Sequence, residues 1–160
     1  MEELQRRSTE PGPARERGPV VLVGVDGSRA SRCAALAAAS AARRMEGSVL
    51  AVHVPTLSPL AALACSMGAG ALLGEAQREV SRQIEDELAS LLELEDVPWR
   101  FVVETGPVGP ALVRLAASTR AAVVVVGAPR RTWRGRLAHL LVPSVPRLLL
   151  RSGTDRLLIA

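Results

Sequence analysis

The chain has no lysine and no tyrosine, one phenylalanine, two tryptophans and two cysteines in 160 residues. Each shortage excludes something. Two cysteines cannot build a disulfide scaffold. Three aromatic rings, Trp99, Phe101 and Trp133, are too few for the base-stacking platforms that hold single-stranded nucleic acid. No apolar run reaches the roughly 20 residues of a membrane helix, and the first residues do not read as a signal peptide. The expectation is a cytoplasmic protein. With 48% hydrophobic and 22% charged residues, the composition is that of an ordinary globular domain. The length suits one domain with a full core.

All 20 basic residues are arginine, and the net charge is +4. The excess is local. Residues 1–18 carry four acids and four arginines, residues 19–119 are net −3, and residues 120–160 are net +7. The peak is Arg130, Arg131, Arg134 and Arg136. Such a cluster can clamp phosphates, touch nucleic acid or meet an acidic partner. A solvated loop in an arginine-biased chain is the favoured reading.

Residues 1–18 have little apolar content and include Pro11 and Pro13, which reads as a disordered tail ahead of a domain spanning 19–160. Val20 to Val25 is a nearly continuous apolar run, as in a strand buried on both faces. Asp26-Gly27-Ser28 turns the chain, and Ser28 suits a helix N-cap. Residues 29–45 read as a helix with Cys33, Leu36, Ala37, Ala41 and Met45 on its core face and Gly47 closing it. Val49 to Val54 is a second strand, ended by Pro55. Residues 56–72 read as a loop with a short helical turn. Residues 74–94 form an amphipathic helix with Val80, Ile84, Leu88 and Leu91 at core spacing. Trp99 to Glu104 is a third strand. Gly106-Pro107 starts a helix carrying Ala111, Leu112, Leu115 and Ala116. Val123 to Gly127 is a fourth strand, Val145 to Arg151 a helix, and Arg156 to Ile159 a last short strand. This alternation predicts a single α/β domain: a parallel, Rossmann-like sheet with right-handed crossovers and helices on both faces. Asp26, Val54 and Gly127 then share the strand-end edge where such sheets take ligands.

These residues carry a resemblance. Val25-Asp26-Gly27-Ser28, the Leu50-Ala51-Val52-His53-Val54 strand, Gly106-Pro107 with Ala111-Leu112, Ala122 to Gly127, and Pro143-Ser144-Val145 resemble, in order, universal stress protein domains. The resemblance covers about residues 19–160. It implies five parallel strands in the order 3-2-1-4-5 and a homodimer through the last strand. It also implies adenine nucleotide binding in some members, ATP with Mg2+ being the expected ligand here. Carried over, Asp26 and backbone groups at Val54 would hold adenosine. Gly127, Arg130, Ser144 and Val145 would line the phosphates.

The family's phosphate loop reads Gly-x-x-Gly, nine residues, then Gly-Ser or Gly-Thr. Here Arg130 stands at the second glycine and Pro143 at the last, and the loop is three residues longer. Proline has no N–H for a phosphate, and a side chain at 130 obstructs backbone approach. Ala122 stands where the family often has Asp.

Each candidate also has a purely structural reading. Asp26 can cap the first helix beside Ser28, Gly127 can end a strand, and Ser144 can cap the Val145 helix. His53 and His139 sit among apolar neighbours and read as packing residues, with no zinc spacing. Cys33 reads as a helix-face residue and Cys65 as a loop thiol. No nucleophile dyad or carboxylate pair is present, so the expectation is no enzyme, with weak ATP hydrolysis the residual option. Three functions follow: a nucleotide-sensing regulatory module, a dimeric interaction protein that binds no nucleotide, or an enzyme. The first leads, the second is the alternative. Membrane insertion is not expected, and the lack of a helix-turn-helix signal argues against DNA.

Overall fold

The structure is a computed structural model that describes residues 18–56, 59–127 and 157–159. Residues 1–17, most of the expected tail, lie outside these, as does the expected helix at 145–151. Four strands form the body of a parallel sheet: β1 (Val20–Val25), β2 (Ser48–His53), β3 (Trp99–Val103) and β4 (Val123–Val126). A three-residue strand, β5 (Leu157–Ile159), pairs parallel with β4. The order is β3-β2-β1-β4-β5. The helices are α1 (Arg29–Arg44), α2 (Pro59–Ala64), α3 (Gly70–Glu93) and α4 (Val108–Ser118). The parallel α/β arrangement expected from the strand–helix alternation is present.

Strand order and handedness assign each helix a face. The chain runs β1, β2, β3 in one direction across the sheet and returns past β1 to reach β4. Right-handed crossovers therefore put α1 and α3 on one face and α4 on the other. The two cores obey this. Val21, Val23, Val25, Val49, Ala51 and Val125 pack with alanines of α1 and with Ile84, Leu88 and Leu92 of α3. Leu22, Leu50, Val52, Val124 and Val126 pack with Ala111 and Leu112 of α4. Alternate residues of one valine-rich run thus feed two cores, which is why the strands read as continuous rather than alternating.

Helix α1 keeps part of the expected face, with Ala41 buried and Ala37 and Met45 packed against the core, and departs from it at two positions. Ala34, Ala35, Ala38, Ala39 and Ala42 are fully buried, whereas Cys33 is exposed and Leu36 is 40% exposed. Small side chains let the helix lie close on the sheet, and Cys33 and Leu36 are left on the outer side. Burying those five methyl groups is worth up to about 4 kcal/mol, at roughly 0.8 kcal/mol each. Helix α3 begins at Gly70, and α2 with a wide π-type turn at Cys65–Ala69 replaces the expected loop. The kink falls at Gly68, whose φ is +94°. In α3 the buried residues are Ser81, Ile84, Leu88 and Leu92, while Val80 is exposed and Leu91 half-buried.

Gly47 closes α1 differently from the expectation. The left-handed residue is Glu46, with φ +50°. The Glu46 N–H donates to the Arg43 carbonyl and the Gly47 N–H to the Ala42 carbonyl, a Schellman pattern. Gly47 is glycine because a Cβ there would lie 2.0 Å from the Pro19 carbonyl oxygen. Arg120 repeats the arrangement after α4, with φ +51°. Its N–H donates to the Ala117 carbonyl and that of Ala121 to Ala116.

Candidate functional site

Register brings the strand ends level. Val25 pairs with His53, and His53 with Val103; Gly24 pairs with Val126. Asp26, Val54, Glu104 and Gly127 are therefore the first residues beyond the ladder on one edge of the sheet. Strand order reverses between β1 and β4, the position at which open α/β sheets take ligands. Asp26 and Gly127 flank it.

The turn after β1 is built by its own side chains. The exposed Asp26 accepts, through Oδ1, a hydrogen bond from the Ser28 N–H at 3.0 Å. Gly27 takes φ +75°, with Ile84 of α3 close above it. Ser28 then caps α1, its Oγ accepting from the Ser31 N–H at 3.1 Å. The Ser31 hydroxyl and the Arg32 N–H both donate to the Ser28 carbonyl, at 2.9 and 3.1 Å. No acidic residue lies in the first turn of α1, and Arg29 there is exposed. The helix therefore presents its positive end at this edge.

Gly127 has a packing duty. A Cβ on it would sit 2.9 Å from the carbonyl carbon of Ala30, 3.0 Å from its oxygen and 3.1 Å from its Cβ. The end of β4 thus rests on the first turn of α1, and this contact fixes how closely the two approach. Val54 is buried on the α4 face.

His53 is buried on the opposite face. Its Nδ1 lies 2.9 Å from the Val25 carbonyl oxygen. A carbonyl only accepts, so Nδ1 carries the proton and donates it there. The ring stacks on Phe101 at a centroid distance of 6.5 Å and an interplanar angle of 12°. It is a packed histidine, as its apolar strand suggested.

The expectations did not include Glu104 and Arg114 at this edge. Glu104 follows β3, donates its N–H to the His53 carbonyl, and pairs through its carboxylate with Arg114 of α4 at 3.0 Å. The signal available in sequence was positional: Glu104 ends an apolar strand as Asp26 does. Among the described residues, no group of three or more His, Cys, Asp or Glu side chains comes together. The structure thus brings together Asp26, Val54 and Gly127. Arg130, Ser144 and Val145 lie outside the described residues, as do Arg131, Arg134, Arg136, His139 and Pro143.

What the arrangement offers is an exposed carboxylate that accepts hydrogen bonds and, beside it, a capped helix start that favours an anion. Among known proteins, the sequence pattern of the Universal stress protein family matches residues 19–159. No curated protein matches the chain. Solved structures match it well. A protein of that family from Burkholderia pseudomallei has a TM-score of 0.63 at 23% identity, covering 94% of this chain and 98% of its own. A universal stress protein in complex with cAMP has a TM-score of 0.63 at 23% identity, covering 89% and 96%. The universal stress protein from Archaeoglobus fulgidus in complex with dAMP has a TM-score of 0.58 at 14% identity, covering 88% and 95%. At these identities the likeness speaks for the fold. No helix among the described residues is long and apolar enough to cross a membrane.

Proposed function

The chain belongs to the universal stress protein family, and from that premise we propose that it is a cytoplasmic regulatory module that takes an adenine nucleotide at its strand-end edge. The observation that carries this reading is the placing of Asp26, Val54 and Gly127 on one strand-end edge, beside the reversal of strand order between β1 and β4. Two structural relatives, named above with cAMP and dAMP, support the choice of nucleotide class. In this reading Asp26 accepts hydrogen bonds from a ribose, and backbone groups at Val54 meet the base. The start of α1, with Arg29, favours the phosphates electrostatically. Gly127, Arg130, Ser144 and Val145 are assigned to the phosphate side, with Arg130 supplying charge where the family has glycine. Magnesium enters as the nucleotide's own counter-ion, because Asp26 alone is a sparse ligand set. The module performs no catalytic step in this proposal.

Titration calorimetry of ATP with magnesium into unfolded and refolded protein tests it. Saturable binding that is lost in Asp26→Ala is the expected result. Absence of heat and of thermal shift in the wild type would refute it. Steady ATP turnover abolished by Asp26→Ala would make the protein an enzyme instead.

A second reading rests on Gly127. Its missing side chain is already explained by Ala30, so a ligand is not required to account for the glycine. On that reading the chain is an interaction protein that dimerises through β5. Light scattering that finds a monomer at high concentration would refute the β5 dimer.

A further inference from the structure

Helix α3 is far longer than the strand it precedes. Its 24 residues rise about 36 Å, whereas the five of β3 span about 17 Å. Because it links two parallel strands, it runs back against their direction, so its N-terminus lies toward the strand-end edge. Burial marks where the sheet stops. The buried residues of α3 are Ser81, Ile84, Leu88 and Leu92, and none precedes Ser81. Ile84 is level with the turn after β1, its Cγ1 3.2 Å from where a Cβ on Gly27 would stand. The N-terminal half of α3 therefore overhangs the edge that carries Asp26, Val54 and Gly127.

Helical spacing continues the buried line past this edge through Gln77, Gly74 and Gly70. Gln77 stands seven residues beyond Ile84, about 10 Å along the axis. It is half-buried, while the neighbouring Glu75, Arg78 and Glu79 are exposed. Its side-chain amide has no hydrogen-bond partner among the described residues. There is room beside it, since a Cβ on Gly74 or Gly70 would meet none of the described atoms within 4 Å. The stretch from 47 to 74, which leads into this overhang, contains no charged side chain. A half-buried amide beside open space and an uncharged segment suits a neutral, polar-edged ring better than an ion.

We propose that Gln77 reads the base of the bound nucleotide, its amide oxygen accepting from the exocyclic amine of adenine and its NH2 donating to the adjacent ring nitrogen. The inference rests on the nucleotide reading above and adds to it the group that selects the base. An amide presents a donor and an acceptor side by side, and an adenine edge presents their complement. The strand order fits this division of the ligand. β2 lies between β1 and β3, so Val54 is on the α3 side of Asp26. The ribose and phosphates then belong to Asp26 and the start of α1, and the base to Val54 and the overhang. Gln77 acts on specificity and takes part in no chemical step.

The test titrates ATP and purine riboside triphosphate, which lacks the exocyclic amine, into the full chain by calorimetry with magnesium. The wild type should bind ATP about tenfold more tightly than the analogue. Gln77→Ala should bind the two alike, ATP having lost the more, while Asp26→Ala should lose both. Equal affinities in the wild type, or an ATP preference that survives in Gln77→Ala, would overturn the proposal and leave the nucleotide reading standing. A wild type that binds neither compound would overturn both. If circular dichroism shows Gln77→Ala to be misfolded, the side-chain amide resonances of Gln77 in the wild type decide. They should shift on adding ATP and shift less with the analogue; resonances that ATP leaves in place would overturn the proposal.

Discussion

Replacing Gly127 with alanine probes the packing at the strand-end edge between β4 and α1. The new Cβ would lie 2.9 Å from the Ala30 carbonyl carbon and 3.0 Å from its oxygen. Carbon atoms in good contact stand about 3.5–4.0 Å apart, so something must move by more than half an ångström. The obstacle is backbone in the first turn of a helix, not the tip of a flexible side chain, and it cannot rotate away. Overpacking of this kind costs about 2 kcal/mol. In a chain of this size that lowers Tm by roughly 4–8 °C. Gly24→Ala is the control. It is also a strand glycine, on neighbouring β1, and neither position has a positive φ. Its Cβ would meet side chains alone, the Leu112 Cδ1 at 3.3 Å and the Leu112 Cδ2 and Val126 Cγ1 at 3.7 Å, so the one tight contact is a side-chain tip that can yield. The entropic gain from removing a glycine is similar in both, so the difference isolates the Ala30 contact. The assay is thermal and urea unfolding of nucleotide-free protein. If Gly127→Ala is as stable as Gly24→Ala, the close approach of β4 to α1 is refuted and the glycine must be explained by a ligand.

Glu46→Gly and Arg120→Gly each relieve a left-handed residue in a Schellman turn and should stabilise by about 0.5–1 kcal/mol, additively, in urea unfolding. Equal or lower stability would refute the assigned backbone. Ser28→Ala removes the N-cap of α1 and should cost about 1 kcal/mol, read from the urea midpoint; no loss would refute the cap. Ala38→Leu forces a large side chain between α1 and the sheet and should cost about 2 kcal/mol, while Leu36→Ser on the outer side should cost well under half of that. Removing Glu87, the partner of Arg32 at the α1–α3 contact, should cost less than about 1 kcal/mol, because both side chains are some two-fifths exposed. A larger loss in salt-dependent unfolding would mean that the pair is structural.

The strands were legible in sequence because their physics is local. A run such as Val20 to Val25 has few alternatives to a strand covered on both faces, and Asp26-Gly27-Ser28 carries its own turn and cap chemistry. The alternation of strands and helices, with the handedness of crossovers, then placed Asp26, Val54 and Gly127 on one edge. The helix faces were less legible. Hydrophobicity alone put Cys33 and Leu36 in the core. The sheet instead demanded the smallest side chains, because the distance between helix and sheet is set by packing and not by side-chain preference. The stretch at 56–72 read as a loop with only a short helical turn for a related reason. Pro, Gly and Ser signal turns, yet a chain of Ala and Leu between them still winds into helix, with the break confined to Gly68.

Sequence by itself determined the parallel sheet, the order of its strands along the chain and the residues that end them, since each depends on neighbours along the chain. Only the tertiary structure decided that Gly127 rests on Ala30, that Glu104 is held by Arg114, and that His53 gives its Nδ1 proton to Val25. Those pairs are 97, 10 and 28 residues apart in the chain, and each is made across strands or between a strand end and a helix. Distances between such partners are set by how elements stack, which local preference does not encode.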